Sequence, residues 1–524
     1  MSSEPTASAE VFDYVVVGGG TAGNVVAARL TEDPDVSVCV LEAGPSDVGD
    51  DNVLQLDRWM DLLESGYDWD YPVEPQSSGN SLMRHARAKV LGGCSSHNSC
   101  IAFWAPAEDL DDWAAAGCTG WSAADLFPLY RRLESNDAPG DHHGRSGPVK
   151  LRTLKGGEDP CGTALLEACA QAGIPTTPFN TGETVIRGAN WFQINSDENN
   201  VRQSSSVAYL HPVMGRRPHL SVRTGVHAKR LVFEGRRCVG AEYLAPDQST
   251  TRTVRARREV IVSCGSIDTP KLLMLSGIGP ATQLREHGVD VLVDSAGVGE
   301  NLQDHPEGVI MWEARRPMPT RSSQWWEAGI FYDTEPGLDR PDLMFHYGSV
   351  PFDMNTARHG YPTTDNAFCL TPNVTRARSR GTVRLRSGDF RDKPRVDPRY
   401  FTHEHDARVM TYGLKLARRI AGQPALSGWA GAELAPGPDV RTDDELLDYL
   451  HKTHNTVYHP ACTVKMGADD DALAPVDARL RVKGVEGLRV ADGSVMPDLV
   501  TVNPCITTMM IGEKCSDLLK ADAR

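Results

Sequence analysis

Phe12-Asp13-Tyr14-Val15-Val16-Val17 runs straight into Gly18-Gly19-Gly20-Thr21-Ala22-Gly23. A second β-rich run, Val36-Ser37-Val38-Cys39-Val40-Leu41, follows and ends at Glu42. The apolar runs have the character of buried parallel strands, and Ala22 to Thr31 between them reads as a helix. Gly18, Gly20 and Gly23 fit Gly-x-Gly-x-x-Gly. Such a turn is tight, lets the backbone approach a pyrophosphate and packs the helix close to the strand. Glu42 follows the last glycine by nineteen residues, at the strand end where an acid accepts hydrogen bonds from ribose hydroxyls. The order strand, glycines, helix, strand, acid predicts a dinucleotide site in an α/β domain. By itself it does not separate FAD from NAD. An acid at position 42 disfavours a 2′-phosphate.

The chain has 524 residues, 40% hydrophobic and 24% charged, which is globular in character and long enough for two or three cores. A net charge of −16 argues against nucleic acid or an anionic membrane as partner and suits a cationic substrate. The first ten residues are small and polar, and no run of 18 apolar residues occurs, so neither a secretory leader nor a membrane span is expected. Twelve scattered cysteines without a Cys-x-x-Cys pair read as reduced cytosolic thiols, not a disulfide framework or metal site. Asn373-Val374-Thr375 fits the glycosylation pattern and, without a leader, is read as accidental.

Three more blocks stand downstream. Ala88-Lys89-Val90-Leu91-Gly92-Gly93-Cys94-Ser95-Ser96-His97-Asn98-Ser99 is a second glycine turn. Gly265-Ser266-Ile267-Asp268-Thr269-Pro270 leads into Leu272-Leu273-Met274-Leu275-Ser276-Gly277-Ile278-Gly279. Val490-Ala491-Asp492-Gly493-Ser494-Val495-Met496-Pro497 lies near the end. Each could be a structural loop. Together and in this order they resemble the glucose–methanol–choline (GMC) oxidoreductase family over nearly the whole chain. The resemblance implies FAD and an α/β (α+β overall) fold. A Rossmann-like FAD-binding domain would be discontinuous over 1–160, 203–308 and 453–524. A substrate-binding domain of antiparallel sheet plus helices would cover 161–202 and 309–452.

Further segments are similar to the members that act on choline. These are Gln55-Leu56-Asp57-Arg58-Trp59-Met60, Ser96-His97-Asn98-Ser99-Cys100-Ile101-Ala102-Phe103-Trp104, Asp304-His305-Pro306-Glu307-Gly308, and His346-Tyr347-Gly348-Ser349-Val350-Pro351-Phe352-Asp353-Met354-Asn355-Thr356. The implied reaction is oxidation of choline to betaine aldehyde and then glycine betaine, with hydride passing to flavin and O2 reduced to H2O2. Alternatives are a dehydrogenase with a non-oxygen acceptor and a flavin-containing lyase of the same fold.

Alcohol oxidation needs a proton acceptor, a partner for the alkoxide and a means of holding the carbon at the flavin. By resemblance, His459 and Asn503 supply the first two, with His346 and Ser99 as further partners of the oxygen. The implied cofactor residues are Gly18, Gly20, Gly23, Glu42, Gly92, Gly93, His97, Asn98, Ser99 and Asp492, with a covalent flavin bond through His97. A trimethylammonium group calls for aromatic faces and a carboxylate. The resemblance gives these roles to Trp59, Trp326, Tyr458 and Glu307, with His346 also at the substrate. Met60, Leu63, Val350, Phe352 and Met354 are expected to guard substrate entry. Cys264, Cys462 and Cys505 depart from the choline-oxidising pattern and leave the electron acceptor open. No metal is expected. The other expectations are a homodimer, a cytoplasmic location and only small-molecule partners.

Overall fold

A computed structural model describes residues 10–157, 159–181 and 187–523. The opening strand, Glu10–Val17, buries Tyr14 to Val17 completely. It pairs in parallel with Val38–Leu41 on one side and Thr251–Val262 on the other, with Val15 opposite both Cys39 and Val260. Leu220–Arg223 extends the sheet in parallel beyond Val38–Leu41. Leu488–Val490 adds in parallel to the end of Thr251–Val262. The other half of that long strand starts an antiparallel meander with Arg237–Leu244 and His227–Glu234. The seven-stranded sheet therefore draws on residues from the start, middle and end of the chain.

The helix Gly23–Leu30 is buried on nearly every side. It lies against the C-terminal helix, Cys505–Asp522, where a Cβ on Gly512 would come within 2.8 Å of Ala22 O and Val25 Cβ. Across the same contact, buried Glu513 accepts from Arg29 and from the Tyr209 hydroxyl at 2.7 Å. This anchoring fixes the segment from which Asn503 enters the site.

The second sheet is antiparallel along its main path. Its order is Ala430–Ala435, Ile310–Ala314, Ala367–Val374, Leu343–Gly348, Ala328–Tyr332, Gly188–Trp191. Pro306–Glu307 and Asn455–Thr456 pair with each other, and Glu307 stands opposite Asn373 near the end of the interior strand Ala367–Val374. Strand alternation divides its faces. Leu343, Phe345 and Tyr347 share a core with the helices Pro160–Gln171 and Glu404–Ala421. Met344 packs into the other core, and His346 lines the cavity between the two sheets. Among the described residues, no helix is long and apolar enough to cross a membrane, and no three-residue cluster suits a metal ion. Residues 1–9, part of the N-terminal stretch read as non-secretory, lie outside the described residues.

Candidate active site

One cavity runs from the first glycine turn to the face of the second sheet. Gly18 has φ +104°, and a Cβ there would lie 2.3 Å from Ser263 O. The second turn is equally tight, since a Cβ on Gly93 would stand 2.8 Å from Gly20 Cα. Glu42 closes this end, accepting from Gly19 N at 3.0 Å and Gly44 N at 2.7 Å. Burial pushes its carboxyl up to about 7, against the opposing pull of those backbone donors. Asp492 accepts from Gly265 N at 2.9 Å, Thr269 Oγ1 at 2.6 Å and Ser494 N at 2.8 Å. It thereby ties the start of the helix Gly265–Leu275 to the cavity wall.

His97, Asn98 and Ser99 line the middle of the cavity. His97 Nε2 lies 3.1 Å from Leu62 O, so it donates and leaves Nδ1 unprotonated. Burial lowers the His97 pKa to about 3, which keeps the ring neutral. Arg202, which the sequence reading missed, holds this loop from behind. It is wholly buried and donates to Asn98 O at 2.7 Å and Val53 O at 2.5 Å.

At the far end, His459, Asn503, His346 and Glu307 face the same space. Asn503 Nδ2 lies 3.4 Å from His459 Nε2, and His459 Nδ1 lies 2.9 Å from His305 Nδ1. An amide nitrogen only donates, so His459 Nε2 accepts and its proton sits on Nδ1, pointing to His305. Burial holds His459 well below the usual histidine range, with His305 and His346 adding to the effect. His346 Nδ1 is 3.3 Å from Asn373 Nδ2. Asn373 is thus a buried strand residue at the site, which is why its glycosylation pattern has no surface meaning. His346 Nε2 and Asn503 Oδ1 are buried without hydrogen-bond partners among the described residues, as expected of groups that serve a ligand.

Glu307 is 4% exposed, with Oε1 3.9 Å from His346 Nδ1. Burial pushes its carboxyl up to about 8, with the charge of Asp304 adding to the shift. Trp59 and Trp326 pack edge to face with centroids 5.3 Å apart, and Phe352 continues the wall 5.4 Å from Trp326. Trp59 is locked by its indole bond to Gln324 O at 2.8 Å. Tyr458 adopts φ +63° and lines the cavity beside His459. Of the catalytic, cofactor and substrate residues named from the sequence, all except Gly23 and Gly92 border this one space; those two lie buried just behind it, Gly92 with φ +95°. Of the expected entry residues, Leu63 and Phe352 border it and Met60, Val350 and Met354 do not. His305, Asn373 and Asp304 stand behind the lining as partners of His459 and His346. His305 and Asp304 stood in a quoted block, but nothing local marks them as partners of a histidine more than 150 residues away.

Family models described as GMC oxidoreductase match residues 12–307 and 377–512. The chain is 65% identical over 517 residues to choline oxidase of Arthrobacter globiformis, covering 97% of this chain and 94% of the relative. It is 36% identical over 537 residues to the oxygen-dependent choline dehydrogenase of Pseudomonas aeruginosa (strain LESB58), covering 97% and 94%. Among solved structures it resembles pyridoxine 4-oxidase from Mesorbium loti, with a TM-score of 0.90, 30% identity and coverage of 97% and 98%. With both halves of the chain matched and the two-sheet cavity in place, the chain belongs to the GMC oxidoreductase family.

Proposed function

We propose that this protein is an FAD-dependent oxidase that converts choline to betaine aldehyde and then, through the aldehyde hydrate, to glycine betaine. Each step reduces one O2 to H2O2. The observation that carries this reading is the placement of an aromatic and carboxylate pocket in one continuous cavity with the His459–Asn503 pair and the dinucleotide turns. The close relationship to a choline oxidase supports the substrate.

The residues present fit FAD. The glycines clear a path that a Cβ would fill, and Glu42, which lines the same end of the cavity, would accept from ribose hydroxyls. When bound, FAD supplies the hydride acceptor and the electrons for oxygen. The chain's own residues do the rest. The substrate hydroxyl takes the place of the Asn503 amide at His459 Nε2, which then accepts its proton and leaves the amide free to donate to the oxygen. The Asn503 amide and His346 Nε2 hydrogen-bond the oxygen as its charge grows, and Ser99 faces it from the loop of His97. Trp59, Trp326 and Tyr458 hold the trimethylammonium group, and Glu307 neutralises it as a carboxylate. The gem-diol hydrate offers the same hydroxyl to the same base.

The reading includes covalent attachment of FAD through His97, whose neutral ring provides a free nitrogen. It also includes the lobes 1–160, 203–308 and 453–524 for FAD and 161–202 and 309–452 for substrate, a homodimer, and a cytoplasmic location. Cys264, Cys462 and Cys505 bring no thiolate to the site. Burial pushes Cys505 up to about 12 and the other two well above the ordinary thiol value, so none is a thiolate.

Addition of choline under argon should bleach the flavin, and in air two peroxides should form per choline. Bleaching without peroxide would make the protein a dehydrogenase with another acceptor. No bleaching would remove the redox assignment.

A further inference from the structure

We propose that Asp304 is a positioning residue for the proton-accepting histidine, one buried carboxylate that latches the backbones of His305 and His459 together. The proposal rests on the reading of His459 as the group that takes the alcohol proton. Asp304 Oδ1 accepts from His305 N and from His459 N, each at 2.9 Å. Oδ2 accepts from the hydroxyls of Tyr400 and Thr456. Tyr400 is itself held 3.0 Å from His85 Nε2. The side chain of Asp304 is 1% exposed.

This arrangement has a specific consequence. The two histidines are 154 positions apart, and their rings meet through Nδ1 atoms 2.9 Å apart. Each ring is free to turn about its own side-chain bonds. Direct backbone bonds pair the two segments on either side, Val457 N to His305 O at 3.1 Å and Ala461 N to Gln303 O at 2.9 Å, and Asp304 fixes the stretch between them, one oxygen taking both His305 N and His459 N. A carboxylate suits the task because all four groups around it donate, and an ionised acid offers only acceptors. Burial pushes its pKa up, while the Thr456 and Tyr400 hydroxyls and the nearby Arg87 charge pull the other way. Asp304 does not line the cavity and touches no substrate, so its effect on the reaction passes through the histidine pair.

The test is a double-mutant cycle on the holoenzyme, with anaerobic flavin bleaching at saturating choline as the rate. Binding of tetramethylammonium, followed by perturbation of the flavin spectrum, serves as a second readout. Asp304→Ala should slow bleaching by about 10²-fold or more, the scale of a lost acid–base contribution. Measured above the pH of about 8 at which Glu307 is ionised with or without Asp304, affinity for tetramethylammonium should change by less than about threefold, because the aromatic and carboxylate pocket stands without Asp304. Asp304→Asn retains one acceptor oxygen for the two backbone donors and should recover most of the lost rate. In a His459→Ala background, Asp304→Ala should cost almost nothing further, since residues acting as one unit are not additive. If the losses multiply instead, Asp304 acts independently of His459 and the proposal fails while the reading of His459 stands. If His459→Ala is itself nearly as fast as the native enzyme, the reading of His459 fails first. If Asp304→Ala does not accumulate, Tyr400→Phe replaces it. That variant removes one donor from Oδ2 and should give a smaller loss that also vanishes beside His459→Ala.

Discussion

His459 is held between an amide that donates to Nε2 and a histidine that receives from Nδ1, so its tautomer is set before substrate arrives. Replacing it by alanine removes the proton acceptor and leaves the cofactor cradle at the other end of the cavity intact. His459→Ala should therefore slow anaerobic bleaching by roughly 10²–10⁴-fold with flavin content nearly unchanged, as absorbance against protein mass will show. Glu307 carries a different prediction. It is flanked by Asp304, His346, Thr371, Asn455 and Tyr458, none of them a cation. Its pKa is raised from 4.5 to about 8, so the fold favours the protonated form. The stabilisation this gives is complete below pH 4.5 and is lost as pH rises through about 8. A bound cation needs the carboxylate. Affinity for tetramethylammonium should therefore rise with pH, approaching about tenfold per unit, and level off above that value. Glu307→Gln should flatten the profile. It should weaken choline far more than 3,3-dimethylbutan-1-ol, which keeps the shape and lacks the charge. The residual preference for choline from the aromatic faces is about 0.5–2 kcal/mol. Equal loss for both alcohols would make Glu307 structural.

At the scale of elements, the short helix Leu56–Leu62 and the segment 349–355 both reach the aromatic pocket, through Trp59 and Phe352 against Trp326. Trp325 Nε1 donates to Asp57 O at 2.9 Å, and Ser349 N donates to Trp325 O at 3.0 Å, so Trp325 bridges the two. A half-exposed pair, Arg358 with Glu64 at 3.7 Å, adds a contact of the kind that contributes little. Phe352 sits against Trp326, whereas Met60, Leu63, Val350 and Met354 are only partly buried. Phe352→Ala should widen acceptance of bulky primary alcohols more than it lowers the melting temperature. An unchanged alcohol profile with a large fall in melting temperature would return Phe352 to plain packing. The strand Leu343–Gly348 shows why this region is sensitive to register. A shift of one residue would turn His346 into the helix-packed core and Phe345 into the cavity.

At the scale of the molecule, the cofactor cleft joins segments near residues 18–23, 92–99, 263–272 and 492–505, so ligand binding should stabilise the fold as a whole. Covalent FAD should stay with the acid-denatured pellet of the native protein and move to the supernatant in His97→Asn. The deflavinated His97→Asn protein should melt lower, and added FAD should raise its melting temperature in a concentration-dependent way, because FAD binds only the folded state. A melting temperature indifferent to FAD would mean that the cleft does not hold the cofactor. The net charge of −16 bears on partners at this same scale and does not select the fold.

The first strand, its glycine turn and the acid at 42 were legible in the sequence because their chemistry is local. β-Branched runs make buried strands, and only glycine fits where a Cβ would strike Ser263 O or Gly20 Cα. The resemblance carried the rest of the candidate site, including His459 with Asn503, whose spacing of 44 residues has no local meaning. Only the tertiary structure decided which nitrogen of His459 is protonated, that Glu307 is held above the usual carboxylate range, and that Asn373 faces His346 and not solvent. Those properties come from burial and from partners brought together by the packing of one sheet over another. The roles of Asp304 and Arg202 belong here too, because a buried charge is defined by the donors or carbonyls around it, and these come from distant parts of the chain.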